Sequence, residues 1–322
     1  MHTLLVIVIF LKLGYVNNEW LSESGGNNAM ALRRSLIVFA LLAACACALP
    51  AETNDIQSQT KLNGDGKAPL TVNSVVGSDE KKVEKNDLLR PVHERFPSAV
   101  LFGGTCGGTI ISEKWILTAG HCTLFTGGRY ILAGTNNSED GSGVTRRVKK
   151  LHIHPLFSVG PYWLDAHDFE LKQVAARWDF LLAELEMPLQ LDGKTMAAAR
   201  LEDDVNTPVG LDVGYAGYGT DHHGGVMRHE MHAMELAVQK DEVCSSRLPQ
   251  YEAQDMLCTR GRPPRYDSAC NGDSGSGLVS NGRLLGVASW VENDAFECRN
   301  GNLVVFSRVA RVRDWIKKVA NV

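Results

Sequence analysis

Two stretches, Thr118-Ala119-Gly120-His121-Cys122 and, far downstream, Gly272-Asp273-Ser274-Gly275, each set one reactive side chain among small or apolar neighbours. Between them Trp178-Asp179-Phe180-Leu181-Leu182 places an acid at the head of an apolar run. A serine hydroxyl is a poor nucleophile until an imidazole takes its proton and an acid orients that imidazole. A His, an Asp and a Ser, each in its own apolar setting, supply the parts of a serine hydrolase.

Taken together, these residues resemble the chymotrypsin/trypsin family of serine endopeptidases. The resemblance covers about residues 96–322 and implies an all-β fold. Two Greek-key six-stranded β-barrels are expected, closed by a C-terminal α-helix, with the active cleft between them. It implies that Ser274 is the nucleophile, His121 the general base and Asp179 the acid. Asp165 and Asp168 are rivals for that last role. The family's acid, however, opens a strand of alternating small and large apolar residues, and only Asp179 is followed by such a run, ending in Pro188-Leu189. The backbone N–H groups of Gly272 and Ser274 are expected to form the oxyanion hole, where one donor is worth about 2.7–4 kcal/mol of barrier. No cofactor and no metal are required.

Specificity is read from the same resemblance. Ser289-Trp290-Val291 resembles the strand that pairs with a peptide main chain as an added β-strand. Ser268, six before the nucleophile, is expected at the floor of the primary pocket, so the acidic floor of trypsin-like enzymes is missing. Asp267 stands one place further off. Val291 and Val304 occupy pocket-wall positions that are usually small. Branched walls leave room for Ala, Val, Ser or Leu, as in the elastases.

Outward from the motifs, the chain divides. Residues 31–34 (Ala-Leu-Arg-Arg) lead into an apolar run, 36–44, and then Ala46-Cys47-Ala48. That is a secretory signal with cleavage after Ala48, and Met30 is a natural start for it. Residues 1–29 read as an upstream extension, 30–48 as the signal, 49–90 as a polar pro-segment and 91–322 as the protease domain. The rival for the N-terminus is a membrane anchor, but neither the apolar run 4–11 nor the run 36–44 reaches the roughly 20 residues a span needs. Of eight cysteines, Cys45 and Cys47 fall in the signal. The remaining six form an even set in an exported protein and are expected to be oxidised. Six cysteines admit many pairings; the resemblance implies Cys106–Cys122, Cys244–Cys258 and Cys270–Cys298.

Past Phe96 short apolar runs alternate with Gly, Asn and Ser clusters. Ala99-Val100-Leu101-Phe102, Thr109-Ile110-Ile111, Trp115-Ile116-Leu117, Tyr130-Ile131-Leu132, 181–185, Val213-Gly214-Tyr215 and 284–290 predict strands of a barrel or sandwich. Val309, Val312, Trp315, Ile316 and Val319 recur at helical steps and predict a closing amphipathic helix. No internal repeat is visible. The net charge of -4 implies neither a nucleic-acid field nor a polybasic anchor. The expected protein is a secreted monomer acting on proteins or peptides, with an activating protease and protein inhibitors as partners.

The chain also departs from the family. No Ile-Val-Gly-Gly-like start is present to release the amine that would pair with Asp273. Val75, in Val75-Val76-Gly77-Ser78, and Val83, after Lys81-Lys82, are the candidates, Val83 being favoured by spacing and basic cleavage, with Pro97 also close to register. Gly275-Ser276-Gly277 stands where Gly-Gly-Pro is usual. Two signals are set aside. His229-Glu230-Met231-His232 has its histidines three apart, not the four of a zinc helix, and Asp221-His222-His223-Gly224-Gly225 reads as a solvated loop. Asn136-Asn137-Ser138 is a glycosylation sequon, and Glu139 with Asp140 offers two acids for a calcium loop. The rival function, favoured by the missing activation motif, is a non-catalytic homologue acting by binding. A small-ester hydrolase is disfavoured by the peptide-binding strand.

Overall fold

The computed structural model describes residues 89–124, 126–127, 129–163, 171–292 and 298–322. The extension, the signal, all but the end of the pro-segment, both activation candidates and the rival acids Asp165 and Asp168 lie outside the described residues.

The first barrel closes in the order β1-β2-β3-β8-β5-β4. Its strands are β1 (Ala99–Phe102), β2 (Cys106–Ser112), β3 (Trp115–Thr118), β4 (Tyr130–Ala133), β5 (Val144–Ile153) and β8 (Leu181–Leu185). The second is built from β10 (Asp212–Gly217), β11 (His232–Val238), β12 (Met256–Gly261), β13 (Gly277–Ser280), β14 (Arg283–Val291) and β15 (Leu303–Arg308). Its sheet runs β13-β10-β11-β12-β15-β14 and the β13–β14 pairing closes it. In chain order both barrels follow the same path: three strands side by side, then the last, the fifth and the fourth. That is the expected pair of Greek-key barrels, in which closure pairs the two strands that an open sheet would leave at its edges. β9 (Arg200–Leu201) adds to β14 in parallel.

The strand at the site shows why the barrel forms. In β8, Leu181, Leu182, Ala183 and Leu185 are buried, and only Glu184 reaches outward, accepting a hydrogen bond from Lys149 at 2.6 Å. Apolar residues on both faces suit a strand with the barrel core on one side and neighbouring elements on the other; each buried Leu contributes about 1.5–3 kcal/mol. β5 is the opposite case. Its charged face alternates with half-buried residues, and a bulge between Val148 and Lys150 shifts the phase, which masks it in the sequence.

The described residues form three short helices: α1 (Val92–Arg95) before β1, α2 (Asp241–Arg247) between β11 and β12, and α3 (Arg313–Ala320) after β15. The predicted closing helix is split, with a 3-10 turn at Val309–Arg311 before α3. Val309, Val312 and Ile316 still bury one continuous stripe, in the cluster that holds the first barrel's core. Asn321 ends the helix in the left-handed conformation, its N–H donating to the Lys317 carbonyl.

One element is additional. Between β5 and β8 the chain forms a two-stranded antiparallel hairpin, β6 (Ser158–Trp163) and β7 (Leu171–Arg177). Arg177 at its base grips the buried Asp255 of the second barrel through two hydrogen bonds, 2.8 and 2.9 Å. Ala175 shares a cluster with Trp290, Cys258 and Met256. The long connection after Pro155 is therefore a strut between barrels.

Candidate active site

Each barrel delivers its part of the site from a strand end. β3 runs into the 3-10 turn Gly120–Leu124, which carries His121. Asp179 stands two residues before β8, and Ser274 lies on the connection between β12 and β13. Thr118 Oγ1 donates to the Gly107 carbonyl at 2.7 Å, and the Gly107 N–H donates to the Ser274 carbonyl at 2.7 Å. The Ser274 backbone is thus hung on the first barrel. Gly275 (φ +82°) has no room for a side chain, because a Cβ would strike Thr118 Oγ1 and the Gly107 carbonyl.

Asp179 is 0% exposed and takes three hydrogen bonds. The His121 backbone N–H donates to Oδ1 at 2.8 Å, His121 Nδ1 lies 2.6 Å from Oδ2, and Ser289 Oγ donates to Oδ2 at 2.6 Å. This satisfies a buried carboxylate and orients the ring with Nδ1 toward Asp179 and Nε2 away from it. Burial by itself lowers the His121 pKa, but the Asp179 charge and its hydrogen bond outweigh burial, and the pKa is raised. Trp178 holds the left-handed φ of +50° just before the acid, and its ring stacks on His154 at 5.6 Å. A bulky residue in that region is strained by roughly 1–3 kcal/mol and persists only where its surroundings hold it.

Ser274 opens onto a cavity of about 130 Å³, lined among others by Ala269, Ser289, Trp290, Val291 and Val304. This is small beside ligand sites of roughly 300–1,000 Å³ and matches a single side chain. Among the described residues neither the Gly272 nor the Ser274 N–H has a backbone acceptor. Val291 and Val304 face one another as paired residues of β14 and β15. Ser268 is buried, with an unpartnered Oγ among the described residues, and the cavity wall is made by its neighbour Ala269. Asp267 is held by Arg265 at 2.8 Å and is not part of the lining.

The six cysteines are joined as Cys106–Cys122, Cys244–Cys258 and Cys270–Cys298. The first anchors the His121 turn and the third the Ser274 connection.

The family model described as Trypsin matches residues 90–316. The chain belongs to the trypsin family. It is a serine-type endopeptidase of the chymotrypsin-like fold. Scolexin B of Heliothis virescens is 69% identical over 84% of this chain and 92% of its own length. Trypsin 5G1 of Aedes aegypti is 28% identical over 67% of this chain and 75% of its own. Among solved structures, neuropsin, a serine protease expressed in the limbic system of mouse brain, covers 71% of this chain and 96% of its own. The two share 22% identity with a TM-score of 0.57, and this likeness bears on the fold.

Several residues at the trypsin-family site carry no signal of their own in the sequence. His223 reaches the mouth of the cavity from the loop that reads as merely solvated. Arg177 and Asp255 meet across 78 residues. Ser276 is buried with its Oγ against the space beside Gly107, where a side chain would collide with it, so that substitution is accommodated beneath the site. His232 stands 3.4 Å from the buried carboxylate of Asp273. Among the described residues no group of three or more His, Cys, Asp or Glu is arranged to hold a metal, and no helix is long and apolar enough to cross a membrane.

Proposed function

We propose that this trypsin-family endopeptidase works through an acyl-enzyme and cuts after small or medium aliphatic residues. Ser274 Oγ attacks the peptide carbonyl carbon while His121 takes its proton. The Gly272 and Ser274 N–H groups receive the negative oxygen. Collapse breaks the C–N bond, His121 returns the proton to the leaving amine, and water repeats the sequence to release the acid. The observation that carries this reading is the Asp179 carboxylate held by three donors, with His121 Nδ1 at 2.6 Å. The branched side chains of Val291 and Val304 support aliphatic specificity.

The enzyme is secreted and made as a zymogen whose polar segment, 49–90, is removed on maturation. The signal-like run and the three disulfides, which persist in oxidising compartments, support this. Fluorophosphonate labelling of the secreted, processed protein beside a Ser274→Ala control tests the function. Labelling that vanishes in the control is expected. A processed wild type that takes no label would point instead to a non-catalytic homologue.

A further inference from the structure

Asn271 and Gly272 are the central residues of a turn that the Asp273 N–H closes on the Cys270 carbonyl at 3.1 Å. Asn271 is exposed. Gly272 tolerates no other residue, because its φ is +94° and a Cβ there would strike the Met227 thioether. The turn therefore fixes a glycine directly after an asparagine. In such a pair the backbone nitrogen of the glycine reaches the asparagine side chain unhindered by any Cβ of its own.

The described residues contain three Asn–Gly pairs, Asn271–Gly272, Asn281–Gly282 and Asn300–Gly301. At the last the glycine nitrogen is engaged, its N–H donating to the Tyr266 carbonyl at 2.6 Å. Asn281 stands in the left-handed conformation, φ +49°, at the turn between β13 and β14. At Gly272 the N–H has no backbone acceptor among the described residues. The Asn271 Oδ1, meanwhile, accepts the Gly224 N–H at 3.1 Å. Charge gathers on that oxygen when a nitrogen adds to Cγ, and a fixed donor stabilises it as an oxyanion hole does a peptide carbonyl. The donor's loop is fixed there, since the Thr220 N–H donates to the Asn271 carbonyl at 2.8 Å.

We propose that Asn271 is a deamidation site through which the Gly272 nitrogen is lost from the oxyanion hole, ending the activity of that molecule. Gly272 N bonds to Asn271 Cγ, the Cγ–Nδ2 bond breaks, and Nδ2 leaves as ammonia with the Gly272 proton. Nothing is oxidised or reduced. The imide nitrogen carries no hydrogen, so the donor is gone at this step. Water then opens the ring. Opening at the main-chain carbonyl gives isoaspartate, which routes the backbone through Cβ and displaces the regained N–H. This rests on the reading above that Gly272 is an oxyanion donor. A group held in the oxyanion hole accepts that N–H and ties the nitrogen down, so an occupied enzyme is protected and an idle one ages.

The test ages the secreted, processed protein at mildly alkaline pH in heavy-oxygen water and samples intact chains. Peptide mass spectrometry reads each Asn–Gly pair, and the rate of fluorophosphonate labelling reads the site. Asn271 is expected to convert ahead of Asn300. Molecules carrying imide or isoaspartate there should label about 100-fold more slowly, the scale of one lost oxyanion donor. Enzyme phosphonylated on Ser274 before ageing should keep Asn271 as the amide. Asn271→Gln, which must close a larger ring, should hold its own starting rate through the same ageing. Labelling that stays constant while Asn271 converts to isoaspartate would overturn the proposal. So would conversion as fast in the phosphonylated enzyme, or Asn271 intact when Asn300 has converted. If Asn271→Gln does not fold, the wild type and its phosphonylated form decide alone. A fresh, processed wild type that takes no label overturns the catalytic reading itself, whatever the mass at Asn271, and this proposal with it.

Discussion

At the scale of single residues, the site is governed by what Asp179 does to His121. With the imidazole pKa raised, the base is neutral only above the ordinary histidine range, near 6.5. The acid limb of kcat/KM is therefore expected to have its midpoint above about 6.5, and a pH–rate profile on a small peptide ester checks it. Asp179→Asn removes the charge and the preference for the productive tautomer, so kcat should fall about 10⁴-fold. A fall below tenfold, measured at the pH optimum, would mean that another acid serves. The pocket makes its own prediction. Val291→Gly with Val304→Gly removes both branched walls and should raise kcat/KM for Phe or Tyr substrates by about 10–100-fold, since each methylene in an apolar pocket counts for 1–3 kcal/mol. Aromatic substrates left uncut by a variant that still cuts small ones would place the pocket elsewhere. His121, Asp179 and Ser274 were legible as candidates because each sits in its own local apolar pattern. His232 was not legible, because its partner lies on a separate strand connection and no spacing links them.

At the scale of elements, the seven apolar runs each became a strand, since burial against a barrel core demands exactly such short runs bounded by turns. β5 escaped because one face meets solvent and its bulge breaks the alternation. The hairpin β6–β7 escaped as a strut because its hold is a pair of side chains. Arg177→Ala leaves Asp255, 1% exposed, without its main cation. The expected loss is about 2 kcal/mol, less than the 3–5 of a fully buried pair because the guanidinium is partly exposed. Urea unfolding measures it. Adding Asp255→Asn to Arg177→Ala should recover much of the loss, and no recovery would assign the hairpin's hold to packing alone.

At the scale of the molecule, two barrels repeat one strand order with no repeat in the sequence. A barrel asks of each strand only an inward apolar face and a permissive turn, so many sequences meet it. The barrels join at the site itself, through the Gly107–Ser274 and Ser289–Asp179 hydrogen bonds. The disulfide Cys106–Cys122 closes a 16-residue separation on the His121 side. Replacing both cysteines by alanine should lower stability by about 3 kcal/mol, read as a lower urea midpoint. An unchanged midpoint would show that the barrel alone holds the turn.

The sequence by itself determined the order of His121, Asp179 and Ser274, the strand-rich class and the identity of the oxidised cysteines. These depend on neighbours along the chain, where patterning and composition act. Only the tertiary structure decided that Ser289 clamps Asp179 from 110 residues away, that Arg177 ties one barrel's hairpin to the other barrel, and that His232 faces Asp273. Those contacts exist because barrel closure brings distant strand ends together in a buried seam, where a polar group must find a partner or destabilise the fold.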